Sequence, residues 1–373
     1  MILLPSELID HVFGMFDLPR DVAVLCACSL VCSSWLPIAR EHLYSTIHIL
    51  DAEPAKEKTL SHFVRLLELA PSVGYAVTRV VVIGSFTGSK LPIHDLFSTL
   101  TQLPRLRHLH LHHWRISHFA SLDLPQRLPL TLQTLELKSI GFFLDAPLNI
   151  FRLFNLFPPG CSLTLDKVSF RYVYGSPYLD IVPTLPLPTG LAPSSLTLHY
   201  ADDRALLLLE AFARTSLPSA LKQLYISFYD FTPLLPSLAR FIKKCDLQSL
   251  TFDLTSCLPY AFWSSKLRLE EASHAVEVHL APAFQKMTAL DEFTLHVGAI
   301  PLENAAFWGL CADIVLSLPT TLRALHIFAA DEHPGPDVSR LRRALQRFRN
   351  LEISEIPGLP TNAWEAELSP GTS

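Results

Sequence analysis

One short apolar pattern, leucine-x-x-leucine-x-leucine, recurs along most of this chain and limits its fold more than any other feature. It reads LRHLHL at Leu106–Leu111, LQTLEL at Leu132–Leu137, LKQLYI at Leu221–Ile226, LQSLTF at Leu247–Phe252, LDEFTL at Leu290–Leu295 and LRALHI at Leu322–Ile327. Weaker copies are RVVV from Arg79, SLTL from Ser162, SLTL from Ser195 and NLEI from Asn350. The last two apolar positions of the copies fall at 80/82, 109/111, 135/137, 163/165, 196/198, 224/226, 250/252, 293/295, 325/327 and 351/353. Successive copies are 29, 26, 28, 33, 28, 26, 43, 32 and 26 residues apart. Side chains alternate between the two faces of a strand, so each copy predicts a short strand with its leucines facing a core.

The segments between copies carry a different period. PIHDLFSTLTQLP (92–104), LNIFRLFNLFPPG (148–160), DRALLLLEAFARTSLP (203–218), LLPSLARFIKKC (234–245) and AAFWGLCADIVLSLP (305–319) place apolar residues at helical spacing and end at proline, glycine or cysteine. One strand plus one return helix every 26 to 33 residues is the unit of a leucine-rich repeat. Residues 77–356 therefore resemble an irregular leucine-rich-repeat domain without the asparagine ladder of the regular kind. The expected fold class is α/β: a horseshoe with a parallel concave sheet and outer helices. Gly175–Ser194 is expected to be a proline-rich excursion, Thr255–Pro282 an insertion within the 43-residue step, and 357–373 a flexible tail.

In such a repeat the residues between the leucines line one open face. Its central positions are Val81, His110, Glu136, Thr164, Thr197, Tyr225, Thr251, Thr294 and His326. Flanking them are His108, Thr134, Gln223 and Ser249 on one side, and His112, Lys138, Asp166, His199, Ser227, Asp253 and His296 on the other. The face is polar, mildly aromatic and mixed in charge, which suits a protein partner. Its expected target-binding residues are His108, His110, His112, Glu136, Lys138, Tyr225, Thr251, Asp253 and His326. Strands stand side by side at about 4.8 Å, which makes His110 and Glu136 the expected cross-strand pair.

The histidine row in RLRHLHLHHW (105–114) raises the question of a metal. Same-face residues along a strand are about 6.8 Å apart, too far for His108, His110 and His112 to share one tetrahedral ion. No metal and no cofactor are expected. GSFTGSK (84–90) has three residues between its glycines where a phosphate-binding loop needs four, and it reads as a repeat turn. RLRRALQRFR (340–349) has its leucines and Phe348 at helical spacing and reads as a solvated outer helix. No nucleophile elbow or HExxH occurs, and the chain is not expected to be an enzyme.

The first fifty residues do not repeat. Leu8 and Val12 form one helical row and Ile9, Phe13 and Phe16 a second, on a helix expected from Glu7 to Phe16. A second helix is expected to follow Asp21 with Val24, Cys28, Val31 and Trp35 on one stripe, and a third to run from Ile38 to Tyr44. Val22–Ala39 is uncharged over nearly the length of a membrane span, but its serines and Pro37 argue against one. Three short helices bury too little surface to stand alone, and their stripes are wider than one bundle interior needs. Another surface is expected to cover the excess.

Leu4, Pro5, Glu7, Leu8, Ile9, Val12 and Phe13, then SLVCSSW with Val31, Cys32 and Trp35, then AREHLY running into a strand at Ile47, resemble an F-box of the kind common in fungal proteins. Ser33 departs from the family, where a basic residue is common. The resemblance implies a Skp-type adaptor as partner and, through it, a cullin. It implies adaptor contacts at Leu4, Pro5, Glu7, Leu8, Ile9, Val12, Phe13, Leu25, Val31, Cys32 and Trp35. The domains are then an F-box over 1–48, a linker helix region over 49–76, the repeat domain over 77–356 and the tail over 357–373. The implied function is substrate recognition for an SCF-type (Skp adaptor–cullin–F-box) ubiquitin ligase; the alternative is an F-box-bearing repeat scaffold without ligase activity.

Charge and cysteines agree with that class. A net charge of −5 and a pI of about 6.3 offer no attraction to nucleic acid or an anionic membrane. Seven cysteines with no CxxC predict no disulfide framework or zinc ribbon. MILLPSELID lacks the basic start of a secretory leader, so a cytoplasmic or nuclear location is expected.

Overall fold

The computed structural model of the chain describes residues 5–16, 20–50, 59–85, 89–116, 132–143, 153–154, 160–171, 193–201, 205–214, 217–229, 231–255, 266–297, 305–329, 339–348 and 352–353. Leu4, Cys257, the tail and all but the last two residues of Gly175–Ser194 lie outside them. The chain forms two compact units, residues 1–161 with 168–172, and residues 162–167 with 173–373. The repeat region expected as one body is divided between them.

The first unit opens with helices α1 (Ser6–Gly14), α2 (Val22–Ser29) and α3 (Trp35–Tyr44). The Ile9/Phe13/Phe16 row turns inward and meets Leu25, Ala39 and Trp35, with the Phe13 and Trp35 rings edge to face at 5.7 Å. His42 on α3 hydrogen-bonds Asp10 on α1 at 2.8 Å. Two boundaries differ from the sequence reading. The second helix stops at Ser29 and not near Trp35, and the third starts at Trp35 with Pro37 inside its first turn. Proline has no amide hydrogen and its ring blocks the carbonyl four residues back, which disfavours Pro37 inside a helix and suits it to the first turn of the third one. Val22–Ala39 is thus split between two short helices, and no described helix is long and apolar enough to cross a membrane.

Strand β1 (Thr46–Leu50) follows α3 directly. Helices α4 (Leu60–Leu69) and α5 (Pro71–Ala76), strands β2 (Arg79–Ile83) and β3 (Ser89–Lys90), helix α6 (Ile93–Thr101), and strands β4 (His108–His112), β5 (Trp114–Ile116), β6 (Thr134–Lys138) and β7 (Gly141–Phe143) complete most of the unit. Strand β8 (Ser162–Asp166) belongs to the second unit and β9 (Ser169–Arg171) to the first. Strands β1, β2, β4 and β6 pair in parallel, in register Ile47–Val80–Leu109–Leu135. The residues expected as a linker therefore hold the end of β1, and α4, whose Leu60, Phe63 and Leu67 are buried, packs on α6 as the first return helix.

A second parallel ladder, β3-β5-β7-β9, lies just beyond the first in each unit of sequence. The chain reaches it by a sharp turn, with His113 and Ser139 in the left-handed region at φ of 61° and 52°. Neither is glycine, and that conformation costs a side-chain-bearing residue about 1–2 kcal/mol. Gly84 is needed for space: a Cβ there would stand 2.6 Å from the His113 carbonyl oxygen. That close approach gives the first glycine of GSFTGSK a packing role; residues 86–88, where the repeat turn is expected, lie outside the described residues.

The second unit adds strands separated by one or two helices: β10 (Ser195–Ala201), α7 (Ala205–Phe212), α8 (Leu217–Ala220), β11 (Gln223–Phe228), α9 (Leu235–Ile242), β12 (Ser249–Asp253), α10 (Lys266–Ala275), α11 (Ala281–Phe284), β13 (Glu292–Val297), α12 (Ala305–Ser317), β14 (Ala324–Ala329), α13 (Ser339–Leu345) and β15 (Glu352–Ile353). Its parallel strands run β8-β10-β11-β12-β13-β14-β15 in register Leu163–Leu196–Leu224–Leu250–Phe293–Leu325–Ile353. Phe252 lies at the centre of the core, 5.3 Å from the Phe228 ring, 5.4 Å from Phe293 and 6.1 Å from Phe284. The 43-residue step is filled by α10, a π-helical turn at Val276–Leu280 and α11, which pack on α9 and α12. It is an enlarged return segment. The basic stretch is likewise α13, with Leu341, Leu345 and Phe348 buried and Arg340 paired to Asp313 at 2.5 Å.

Candidate functional site

The three helices leave a broad apolar surface uncovered. On α1 the outward row is Leu8, Val12 and Met15, at i, i+4 and i+7, beside the inward Ile9/Phe13/Phe16 row. Val22 and Val24 on α2 and Leu30 and Val31 after it are exposed as well, Leu30 at 84% and Val31 at 62%. Seven large apolar side chains on about forty residues exceed what a solvated surface collects by chance, and such patches mark interaction sites.

The adaptor contacts expected from the resemblance divide into two groups. Pro5, Glu7, Leu8, Val12, Val31 and Cys32 are exposed, and Trp35 is half-buried. Ile9, Phe13 and Leu25 are corrected: all three lie in the bundle core, Leu25 with no exposed surface, and there they hold the helices together. Met15, Val22, Val24 and Leu30 were not singled out by sequence. Every residue of α2 is apolar except Ser29, so periodicity could not choose its outer face; Met15 follows from extending the Leu8/Val12 row by one turn.

The second surface is the polar face of the strands. In the first unit the register sets His110 beside Glu136 and His112 beside Lys138. His110 Nδ1 lies 2.7 Å from one Glu136 oxygen and His112 Nε2 lies 3.2 Å from the other. Hydrogen bonding to His110, with the His112 ring also beside it, holds the Glu136 carboxyl well below the usual carboxylate range, against a smaller opposing effect of burial. His108 is engaged separately, with Nδ1 2.8 Å from the Thr134 hydroxyl. His48 on β1 occupies the same row as Val81 and His110. It went unnoticed because its strand carries no LxxLxL pattern.

In the second unit Tyr225, Thr251 and His326 fall in one row, Tyr225–Thr251–Thr294–His326. His199, Tyr225, His296 and Phe328 form an aromatic series across β10, β11, β13 and β14, with ring centroids 5.0, 6.5 and 4.9 Å apart. His326 Nε2 lies 3.7 Å from Glu292. Phe328, stacked on His296 and also facing His326, extends the face past the repeat pattern. It stands at i+2 from His326, so alternation alone could have found it.

The Tyr225 hydroxyl donates to Asp253, and Asp253 also accepts from the Thr255 amide at 2.8 Å and hydroxyl at 2.5 Å. Burial pushes the Asp253 carboxyl up, but the Thr255 and Tyr225 hydrogen bonds together outweigh it and the net shift is downward. A carboxyl lowered in the folded state adds stability above its unfolded value of about 3.9 and loses it as pH falls through the folded value. Wild type is therefore expected to lose melting temperature more steeply than Asp253→Asn below about pH 4. Parallel acid melts of the two proteins measure the difference; equal slopes would show that Asp253 contributes nothing there.

Comparison with known families assigns part of the chain. Residues 1–50 match the F-box-like family model, and F-box domains generally bind Skp1-type adaptors. No curated protein matches the sequence.

Proposed function

We propose that this chain is the substrate-recognition subunit of an SCF-type ubiquitin ligase. Its helical bundle docks a Skp-type adaptor and thereby a cullin, and its leucine-rich-repeat-like strand face holds a target protein. The single observation that carries the reading is the exposed Leu8/Val12/Met15 row beside Leu30 and Val31, within the stretch that matches the F-box-like family. The same helices bury Ile9, Phe13, Leu25 and Ala39 as a core to which the outer row does not belong. Covering a valine or leucine yields about 1.5–3 kcal/mol, so a handful of them supports a micromolar or tighter complex after the costs of association. The polar, aromatic strand face supplies the second contact. The chain itself performs no chemistry; it raises the local concentration of a target's lysines near the ligase's catalytic partners. Its place of action is the cytoplasm or nucleus.

The test is calorimetry and gel filtration of the full-length protein with a purified Skp-type adaptor. A one-to-one complex with submicromolar affinity is expected. No complex at tens of micromolar of each component would overturn the proposal.

A further inference from the structure

We propose that His110, His112 and Glu136 form a binding site for a divalent transition-metal ion of zinc's class. One donor atom from each lies within 4.8 Å of the other two. The backbone brings them there for a definite reason. His110 and His112 are alternate residues of β4 and so share a face, and parallel register sets Glu136 of β6 beside His110. Its carboxylate then reaches both rings, 2.7 Å from His110 and 3.2 Å from His112.

The three histidines of the row cannot share an ion, but this set uses only two of them. The cross-strand carboxylate replaces the third, and His108 is turned away to Thr134. Donors at about 2.0–2.2 Å from a tetrahedral ion stand roughly 3.3 Å from one another. The carboxylate-to-ring separations of 2.7 and 3.2 Å lie just below that value and all three donors lie within 4.8 Å, so side-chain rotations of modest size suffice to admit an ion.

A second observation points to a ligand. His110 Nε2 and His112 Nε2 are buried and have no hydrogen-bond partner. The His112 nitrogen faces Glu136 at ion-pair distance without hydrogen-bond geometry, leaving its lone pair beside a carboxylate with no bond to satisfy it. Buried polar atoms without partners are rare, and an ion between these groups accounts for this one. The side chains of the three residues are 21%, 19% and 27% exposed, so an ion can enter from solvent.

The donor chemistry selects the class. Two imidazole nitrogens and one carboxylate oxygen suit zinc, cobalt, nickel and copper, whereas magnesium and calcium prefer oxygen alone. Lys138, in register with His112, adds a positive charge nearby and keeps affinity below that of a site with two carboxylates. Three protein ligands leave a coordination position open toward solvent, for water or for a donor atom of a bound partner. This inference goes beyond the adaptor-docking function, and its test uses no adaptor, so either can fail alone.

The experiment takes full-length protein freed of metal by chelator and titrates it with zinc, then with cobalt, under reducing conditions. One ion per chain at micromolar affinity or better is expected, with a higher melting temperature when loaded. Glu136→Gln and His112→Ala are each expected to weaken binding at least tenfold while leaving the circular dichroism spectrum unchanged. The cobalt form should show nitrogen and oxygen ligation without a thiolate charge-transfer band, since Cys26, Cys28 and Cys32 are free and form the main competing donors. If either variant unfolds, histidine ring resonances of the wild type decide: those of His110 and His112 must move on adding zinc. Absence of stoichiometric uptake, uptake unaffected by the variants, a thiolate spectrum, or unmoved His110 and His112 resonances would each overturn the proposal.

Discussion

Full-length protein carrying both Val12→Asp and Val31→Asp is expected to lose adaptor binding by at least roughly a thousandfold, while melting at the wild-type temperature. Val12 is half exposed and Val31 more so, and neither belongs to the bundle core. Substitutions at such positions usually change stability by less than about 0.5 kcal/mol. In a complex the balance reverses. Each valine forfeits about 1.5 kcal/mol of burial. Each new carboxylate must also be stripped of water without a partner, at several kcal/mol. Calorimetry with the adaptor measures the first half of the expectation and thermal melting the second. Phe13→Ala serves as the contrast, since it empties the bundle core, costs about 3–5 kcal/mol and reduces binding only by unfolding the helices. If the double aspartate variant binds like wild type, the outer row is not the docking surface.

Phe252→Ala is expected to have the largest effect on the second unit. The side chain is fully buried and touches rings contributed by β11, β13 and α11. Truncation removes its transfer energy and leaves a cavity that three other rings cannot close without leaving their own contacts, a loss of about 3–5 kcal/mol. At about 2–4 °C per kcal/mol, the melting temperature of that unit should fall by roughly ten degrees. Thr251→Ala, next to it but on the polar face, should change the melting temperature little. A comparable fall in both variants would mean that the two faces of β12 are wrongly assigned.

The repeat pattern carried the strand register almost completely. Every pair from 80/82 to 325/327 is buried, and within each unit the pairs are aligned with their neighbours, because alternation leaves only one way to hide the leucines. His110 and Glu136 were legible as a pair for the same reason. The turn after each strand was not: His113, Ser139 and Lys167 adopt left-handed backbone with no glycine to announce it, and tertiary packing overrides their local preference. Tyr200 does so at the bulge in β10, where pairing passes from Leu198 to Ala201. The bundle's inner and outer rows could be separated on α1, where leucine and valine alternate with phenylalanine and isoleucine at helical spacing. On α2 they could not. The reach of the Glu136 carboxylate to both the His110 and His112 rings was not legible, because register pairs residues without saying which way a side chain turns.

The junction between α3 and β1 has a mechanical consequence. The Ser45 carbonyl accepts from both the Thr78 and Arg79 amides at 2.9 Å, β1 pairs along its whole length with β2, and Arg105 reaches Glu41 on α3 at 3.0 Å. Helices fastened this way behave as a rigid handle and not as a bead on a string. Whatever grips them acquires a fixed bearing on the strand face of the first unit, including its histidines. Orientation is then built into the covalent order of the chain, and inserting a few glycines after Ser45 would turn a lever into a leash.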